Sequence, residues 1–137
     1  MRFMCIVKHG ESQSIEPPQA LYEAMNQLGE DAAKAGCVKV GQGGLLPTAE
    51  GARIALQGGK ISVTDGPFTE AKEVIGGFAI FEAPSKAEVL KWSMRFMELH
   101  RELMPGWDGS CEIRQMFGDG DEPCGSAAKA RETEAAV

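Results

Sequence analysis

The sequence predicts a single α+β domain, and three kinds of pattern support that fold class. Two stretches place apolar residues three or four positions apart, as amphipathic helices do. Several shorter stretches are apolar throughout or alternate with polar residues, as strands do. Two adjacent glycines separate two of the alternating stretches, which favours a β-hairpin turn. With 137 residues, of which 43% are hydrophobic, the chain suits one domain with its own core.

The first part of the chain predicts a strand, a helix and a second strand. Residues 2–7 are mostly apolar and too few for a helix, so we expect a central strand covered on both faces. A helix should start at Pro17-Pro18, where a missing N–H does no harm, and end at Gly36. Its apolar stripe consists of Leu21, Met25, Leu28, Ala32 and Ala35. Residues 38–40 begin a short or irregular strand that the glycines at 41, 43 and 44 interrupt.

The second part predicts a hairpin, a strand, a helix and a last strand. Residues 53–56 and 60–63 alternate and are joined through Gln57-Gly58-Gly59, which is typical of a type I′ turn. Residues 74–82 form another strand. Ser85 and Glu88 have capping-box spacing and open a helix that should run to about Leu103. Residues 111–117 alternate again and predict the final strand.

This order of elements predicts a ferredoxin-like βαββαβ plan with an inserted β-hairpin over residues 1–117. Both helices should lie on one face of a mainly antiparallel sheet, because their apolar stripes need a common surface. Residues 118–137 are rich in Gly, Asp, Glu and Ala, with no large apolar side chain before Val137. We expect this C-terminal tail to be flexible and dispensable for folding.

Charge, hydropathy and cysteine spacing argue against nucleic acid, a membrane and a structural metal as partners. The net charge of −6 disfavours nucleic acid, and apolar runs of a few residues are far shorter than the roughly 20 that span a membrane. The four cysteines have no metal-ligand spacing, and no secretory leader is recognisable. We therefore expect a cytoplasmic protein with reduced thiols and neither a metal nor an organic cofactor.

A polar corner at residues 64–78 links the hairpin to the next strand. Asp65-Gly66-Pro67 must end a strand, because Gly permits unusual backbone angles and Pro lacks an N–H. The stretch Asp-Gly-Pro-Phe-Thr-Glu-Ala-Lys-Glu-Val-Ile-Gly-Gly-Phe, residues 65–78, resembles the signature of the DGPF-domain proteins in the YCII-related family. The resemblance covers the chain plan over residues 1–117. It implies a homodimer in which two sheets pack face to face as a dimeric α+β barrel.

Asp65 is the first candidate site residue, and two interpretations of it stay open. A carboxylate at a strand end can act as a general base or hold a histidine in one tautomer. An Asp before Gly-Pro is also a favoured turn residue that bonds to nearby backbone N–H groups. Glu70, Lys72 and Glu73, with Phe68, are candidates for substrate binding by their place in the family motif, while a solvated charged face explains the three charges equally well.

His9 is the second catalytic candidate, since it follows a central strand whose end can open on a pocket. A loop histidine without a catalytic role is the other interpretation. The resemblance implies a His-Asp pair in enzyme-like relatives, with the histidine near the start of the first helix, and residues 17–22 contain none here. Cys5 and Cys111 lie in predicted strands and are expected to be small buried residues.

Two function classes follow from these observations. The first is a cofactor-independent, lyase-type enzyme that uses Asp65 and His9 on a small molecule. The second is a non-catalytic ligand-binding or regulatory module, for which the family resemblance implies an association with extracytoplasmic-function sigma factors.

Overall fold

A computed structural model describes residues 1–13, 15–68 and 71–118 of the chain. These residues form an α+β fold with two helices and antiparallel sheets, as the sequence predicts. The elements are β1 (Arg2–His9), α1 (Gln19–Lys34), β2 (Val38–Gly44), a 3₁₀ turn (Thr48–Glu50), β3 (Ala52–Gln57), β4 (Lys60–Asp65), β5 (Val74–Glu82), α2 (Lys86–Leu103) and β6 (Gly109–Gln115).

The main sheet has four strands in the order β2-β5-β1-β6, and every neighbouring pair is antiparallel. β1 is therefore internal, as its apolar sequence predicts. Cys5 lies opposite Ala79 on one side and Ile113 on the other. The strand order and the single helix after β1 and after β5 are consistent with a ferredoxin-like arrangement.

Both helices cover the same face of this sheet. Phe3 and Cys5 of β1 form a buried cluster with Ala32 of α1 and Val89 of α2. A second buried cluster joins the helices to each other and contains Leu21, Leu99 and Met104. Both apolar stripes are thus buried on one face of the sheet, as expected.

The helix ends follow the predicted signals. α1 starts after Pro18, and Gly36 beyond its end has φ of 93°, a left-handed angle that favours glycine. Ser85 caps α2, because its hydroxyl accepts a hydrogen bond of 3.2 Å from the Glu88 N–H. α2 ends at Leu103, two residues before Pro105.

The strand limits differ in part from the prediction: β1, β3 and β4 are each two residues longer, and β2 and β6 also end elsewhere. β2 continues to Gly44, because Gly41, Gly43 and Gly44 each pair with a residue of β5. The register of this pairing shifts between Lys39 and Gly41. β6 starts at Gly109 and ends at Gln115, two residues earlier at each end than predicted, because its pairing is set by β1: Gly109 lies opposite His9. The predicted flexible tail lies outside the described residues from residue 119 onward.

β3 and β4 form a separate two-stranded antiparallel sheet. They are joined by Gly58 and Gly59, whose φ angles of 58° and 79° are the positive values that a type I′ turn requires. One face of this hairpin carries four apolar side chains that are 67–73% exposed: Ile54, Leu56, Ile61 and Val63. The described part of the chain thus leaves the apolar face of the hairpin largely exposed.

The different burial of two leucines in α2 predicts different losses of stability when each is replaced by alanine. Leu99 is 6% exposed and packs in the interhelical cluster, whereas Leu90 is 42% exposed. Leu99→Ala should cost about 2–5 kcal/mol of unfolding free energy, because it removes buried methyl groups and leaves a cavity. Leu90→Ala should cost much less. Urea denaturation of both variants measures the difference, and equal losses would contradict the assignment of the core.

Candidate functional site

The loop after β1 is tied to the 3₁₀ turn by one carboxylate. Glu11 accepts two hydrogen bonds from Thr48, one from the backbone N–H and one of 2.7 Å from the hydroxyl. Ionised acceptors make hydrogen bonds roughly twice as strong as neutral ones. The two Thr48 donors hold the pKa of Glu11 below its ordinary value, with burial opposing them and the nearby charge of His9 adding a smaller contribution. Glu11 is thus an ionised group in a fixed position.

The same threonine also fixes the Asp-Gly-Pro-Phe corner. Its hydroxyl accepts a hydrogen bond of 3.3 Å from the Phe68 N–H while donating to Glu11. Gly66 packs directly on the backbone of Thr48, since a Cβ at position 66 would lie 1.6 Å from the Thr48 carbonyl oxygen. The Gly66 N–H donates to the Gly51 carbonyl at 2.9 Å. A glycine is required here because of this close approach, while no positive φ is involved.

His9 lies at the end of β1, beside this junction. Its Nδ1 is 2.9 Å from the Gly10 carbonyl oxygen, so Nδ1 carries the proton and donates it. In the neutral ring, Nε2 is then the atom that can accept a proton. The ring occupies space that a side chain at position 76 would fill, since a Cβ there would lie 2.5 Å from Nε2. Gly76 of the family motif therefore makes room for the His9 ring.

The second histidine is a core residue. His100 is 8% exposed, and its Nδ1 donates to the Phe96 carbonyl at 2.9 Å. Its ring lies 4.4 Å from the Phe96 ring and 4.9 Å from the Trp107 ring, measured between centroids. These contacts account for His100 by packing, and His9 stays the histidine that the sequence predicts for catalysis.

Asp65 ends β4 with an exposed side chain. Within the described ranges its carboxylate makes no hydrogen bond or ion pair, so no contact joins Asp65 to His9 there. Phe68 lies under the guanidinium of Arg53, whose Cζ is 4.1 Å from the ring centroid. Arg53 thereby holds the corner against β3.

The remaining motif residues lie between the corner and β5. Lys72 and Glu73 are exposed, and the Lys72 carbonyl oxygen lies 3.8 Å from the point where a Cβ at position 10 would stand. The motif backbone thus passes close to the loop that holds His9. Glu70 lies outside the described residues.

A scan against protein-family models matches residues 1–97 to the YCII-related domain. The chain belongs to the YCII-related family. No curated protein matches the chain. None of the helices in the described part of the chain is long and apolar enough to cross a membrane. Over the same residues, no group of three or more His, Cys, Asp or Glu side chains stands close enough to hold a metal ion.

Sequence patterns missed two residues of this candidate site. Glu11 and Thr48 are 37 positions apart and belong to no local motif. The one available signal was the position of Glu11 in the polar loop directly after His9-Gly10, and nothing in the sequence pointed to Thr48. Their pairing depends on how the 3₁₀ turn folds back toward the end of β1.

A pair of thiols stands apart from this site, under α2. Cys5 and Cys111 were expected to be small buried residues; Cys5 is buried and Cys111 half-buried. A hydrogen bond from the Cys111 thiol lowers the pKa of Cys5 to about 7, against the effect of burial, and the Ser93 hydroxyl at 3.7 Å contributes further. The same hydrogen bond, followed by burial, raises the pKa of Cys111. Cys111 and Ser93 also line a cavity of about 440 Å³ between α2 and β6.

The Glu11 junction predicts a pH-dependent stability. The folded-state pKa of Glu11 is lowered, so its contribution to stability is present above the ordinary pKa and is lost as pH falls through the folded value. Glu11→Gln should therefore lower the urea midpoint at neutral pH and have a smaller effect at acidic pH. Glu23→Gln, an exposed change on α1, is the control. A loss that stayed constant from neutral to acidic pH would contradict the proposed role of the carboxylate.

The close packing of Gly66 predicts that a larger residue at this position destabilises the fold. Gly66→Ala should destabilise the fold by about 1–3 kcal/mol, because the added methyl group meets the Thr48 backbone and forces it to shift. Gly44→Ala is the matched control, since a Cβ there meets nothing within 4 Å and the residue has no positive φ. Thermal melts of both proteins measure the difference. Equal melting temperatures would mean that the corner does not pack on Thr48.

Proposed function

We propose that this YCII-related protein is a cofactor-independent acid/base catalyst of the lyase or isomerase type, with His9 as the proton-transfer group. One observation carries the proposal: the Nδ1–H of His9 is engaged by the Gly10 carbonyl, which directs the basic Nε2 away from that contact. General bases must present a free lone pair in a defined position, and this hydrogen bond defines both the tautomer and the ring orientation.

The Glu11 carboxylate supports that role. It is kept ionised by Thr48, and the charges of His9 and Glu11 attract each other. When Nε2 takes a proton, the imidazolium is attracted by a carboxylate that already has its geometry fixed by two hydrogen bonds. Little reorganisation is then needed at the moment of transfer, which is the condition for effective electrostatic stabilisation.

The motif residues would bind the substrate around this group. Phe68 offers an aromatic surface held by Arg53, and Lys72 and Glu73 offer exposed charges near the loop of His9. Glu70 belongs to the same motif and completes the proposed binding set. Such a set suits a small polar molecule with an acidic group, for which Lys72 supplies the opposite charge.

A ligand-binding or regulatory module is the second candidate, because Asp65 makes no contact with His9 in the described residues. Without such a contact, the site lacks the His-Asp pair that the family resemblance implies for enzymes. A binding module needs the same polar corner and the same fixed loop but no proton transfer. An association with extracytoplasmic-function sigma factors belongs to this second candidate.

We also propose that two copies associate through the uncovered face of the main sheet, as in a dimeric α+β barrel. Met4 and Ile6 of β1 and Phe78 and Ile80 of β5 lie on the face opposite the helices, because they alternate with the buried Phe3 and Cys5 and with their partners. Fully burying one such side chain contributes about 1.5–3 kcal/mol. A second sheet would supply that burial.

Proton exchange with solvent tests the catalytic proposal. Small carboxylic acids that carry a C–H next to a carbonyl are incubated in D₂O with the protein, and NMR follows the loss of that proton signal. His9→Gln should slow any catalysed exchange by about 100-fold or more. Gly76→Ala should also slow it, because the new methyl group displaces the His9 ring, whereas Gly44→Ala should not.

Three outcomes separate the candidates. Exchange that depends on His9 supports the catalytic proposal. Exchange that His9→Gln leaves unchanged contradicts it. Binding of the same acids without any exchange, seen as chemical-shift changes at the corner, would favour the ligand-binding module.

A further inference from the structure

Two thiols lie side by side on the face of the main sheet that the helices cover. Cys5 of β1 lies opposite Ile113 of β6, and Cys111 lies two residues before Ile113. Residues directly opposite each other share a face of the sheet, and so do residues two positions apart along a strand. Cys5 and Cys111 are thus diagonal neighbours on one face, and a hydrogen bond joins their side chains.

The surroundings of this pair stabilise one thiolate. The hydrogen bond from Cys111 lowers the pKa of Cys5 to about 7, while burial opposes it and the Ser93 hydroxyl, 3.7 Å from the Cys5 sulfur, assists it. Cys37 packs in the same buried cluster, where burial, followed by the charges of Cys5 and Glu88, raises the pKa of its thiol. Near neutral pH the ionised thiol is therefore found in the Cys5–Cys111 pair, and Cys37 keeps its proton.

The cavity between α2 and β6 leads to one of the two thiols. Cys111 and Ser93 line this space of about 440 Å³, whereas Cys5 is 4% exposed and does not line it. Sites for small molecules have volumes of roughly 300–1,000 Å³. A small molecule that occupies the cavity can thus touch Cys111 directly, with Cys5 in contact with that thiol from the buried side.

The walls of the cavity favour one chemical class of ligand. They consist mostly of apolar side chains, namely Leu90, Met94, Met97 and Ile113. Two charged residues, Glu98 and Arg101, complete the lining. The Glu98 carboxylate is paired with Arg95 at 3.1 Å, whereas Arg101 makes no ion pair with the residues that the structure describes. The cavity therefore suits a molecule with an apolar body and an anionic group for Arg101.

We propose that Cys5 and Cys111 form a redox-active dithiol, which reduces an organic hydroperoxide with an apolar body and a carboxylate that binds in this cavity. Neither His9 nor the Asp-Gly-Pro-Phe corner takes part, so this second activity does not rest on the proposed function. A buried cysteine on its own is usually inert. Here one thiol has an access route, and a second thiol is in contact with it.

Cys111 reacts first, because the cavity reaches it. Its sulfur attacks the outer oxygen of the hydroperoxide while its proton passes to the Cys5 thiolate. The O–O bond breaks, Cys111 becomes a sulfenic acid, and the leaving alkoxide takes the proton from Cys5 and becomes an alcohol. The Cys5 thiolate then attacks the Cys111 sulfur, and hydroxide leaves as the disulfide forms. In total, one hydroperoxide is reduced to an alcohol and water, and two thiols are oxidised to one disulfide.

The position of β6 permits this disulfide. Diagonal neighbours of an antiparallel pair lie roughly 7–8 Å apart at Cα, slightly beyond the span of at most about 7 Å that a disulfide bridges. In the described part of the chain, β6 is an edge strand whose one neighbour is β1. A small shift of this edge strand toward β1 brings the two sulfur atoms into bonding distance.

Peptide mapping of the wild-type protein tests the disulfide. The reduced protein is treated with an equimolar amount of linoleic acid hydroperoxide, the remaining thiols are blocked with N-ethylmaleimide, and tryptic peptides are analysed without reduction. The peptides with residues 3–8 and 102–114, which contain Cys5 and Cys111, should be linked, and dithiothreitol should release them. Linkage of Cys111 to Cys37 or to Cys124, or two thiols that both remain unmodified by the hydroperoxide, would overturn the proposal.

Cysteine variants test the order of the two steps. Cys5→Ser should leave Cys111 as a sulfenic acid, because the second thiol is missing, and dimedone labelling followed by mass spectrometry detects that species. Cys111→Ser should form no sulfenic acid at Cys5, which does not line the cavity. Cys37→Ser is the control and should still form the disulfide. Dimedone labelling of Cys5 in Cys111→Ser at the rate of Cys111 in Cys5→Ser would contradict the assignment of Cys111 as the first thiol.

The ligand class is tested with two matched hydroperoxides. Linoleic acid hydroperoxide and its methyl ester differ in the carboxylate alone, and loss of maleimide-reactive thiol measures the rate with each. The acid should react faster, and Arg101→Gln should slow its reaction by about tenfold while leaving the ester unchanged. Arg114→Gln is the control, since position 114 alternates with Cys111 and Ile113 and lies on the other face of the sheet. Equal rates for the acid and the ester would contradict the role of Arg101.

Discussion

The Thr48 hydroxyl makes the contacts on which the candidate site of this YCII-related protein depends. It donates to Glu11 and accepts from the Phe68 N–H, so it joins the loop after β1 to the Asp-Gly-Pro-Phe corner. Neither segment belongs to the regular hydrogen-bonding pattern of the main sheet. A hydroxyl can serve two partners at once because it has one donor and two acceptor positions. This one hydroxyl thus holds the end of β1 and the start of the family motif in fixed positions relative to each other.

Lack of space for a side chain explains why the family motif has glycine at two positions. At Gly66 the neighbour is the Thr48 carbonyl, and at Gly76 it is the ring of His9. In the first case a side chain would push apart two segments of backbone, which are hard to move. In the second it would displace one imidazole and leave the strands in place. The two glycines therefore have different roles: Gly66 maintains the corner, and Gly76 leaves room for the His9 ring.

Stability is distributed unevenly in this fold. Phe3, Leu21 and Val89 are almost fully buried between the main sheet and the helices, whereas the apolar residues of β3 and β4 remain exposed. The polar corner lies between these two regions. It is attached to the stable sheet through Glu11 and Thr48, and to the hairpin through Gly66 and the Arg53–Phe68 contact. Short, direct contacts thus join the main sheet, the corner and the hairpin.

The sequence by itself determined the elements, because their signals are local. Apolar periodicity defined both helices, Ser85 and Gly36 marked helix ends, and the Gly58-Gly59 pair marked a tight turn. The glycines of β2 and the limits of β6 were less predictable, since strand ends depend on the partner strand as well as on composition. The family motif at residues 65–78 was likewise readable from a local stretch of sequence.

Only the tertiary structure decided which groups meet at that corner. Glu11 and Thr48 pair across 37 residues, and the burial of His100 among aromatic rings depends on the packing of α2 with the segment that follows it. Only the fold shows that His100 is buried among aromatic rings, whereas His9 lies at the end of β1 beside the corner. Contacts between distant segments depend on the whole arrangement of strands and helices, which no local pattern specifies.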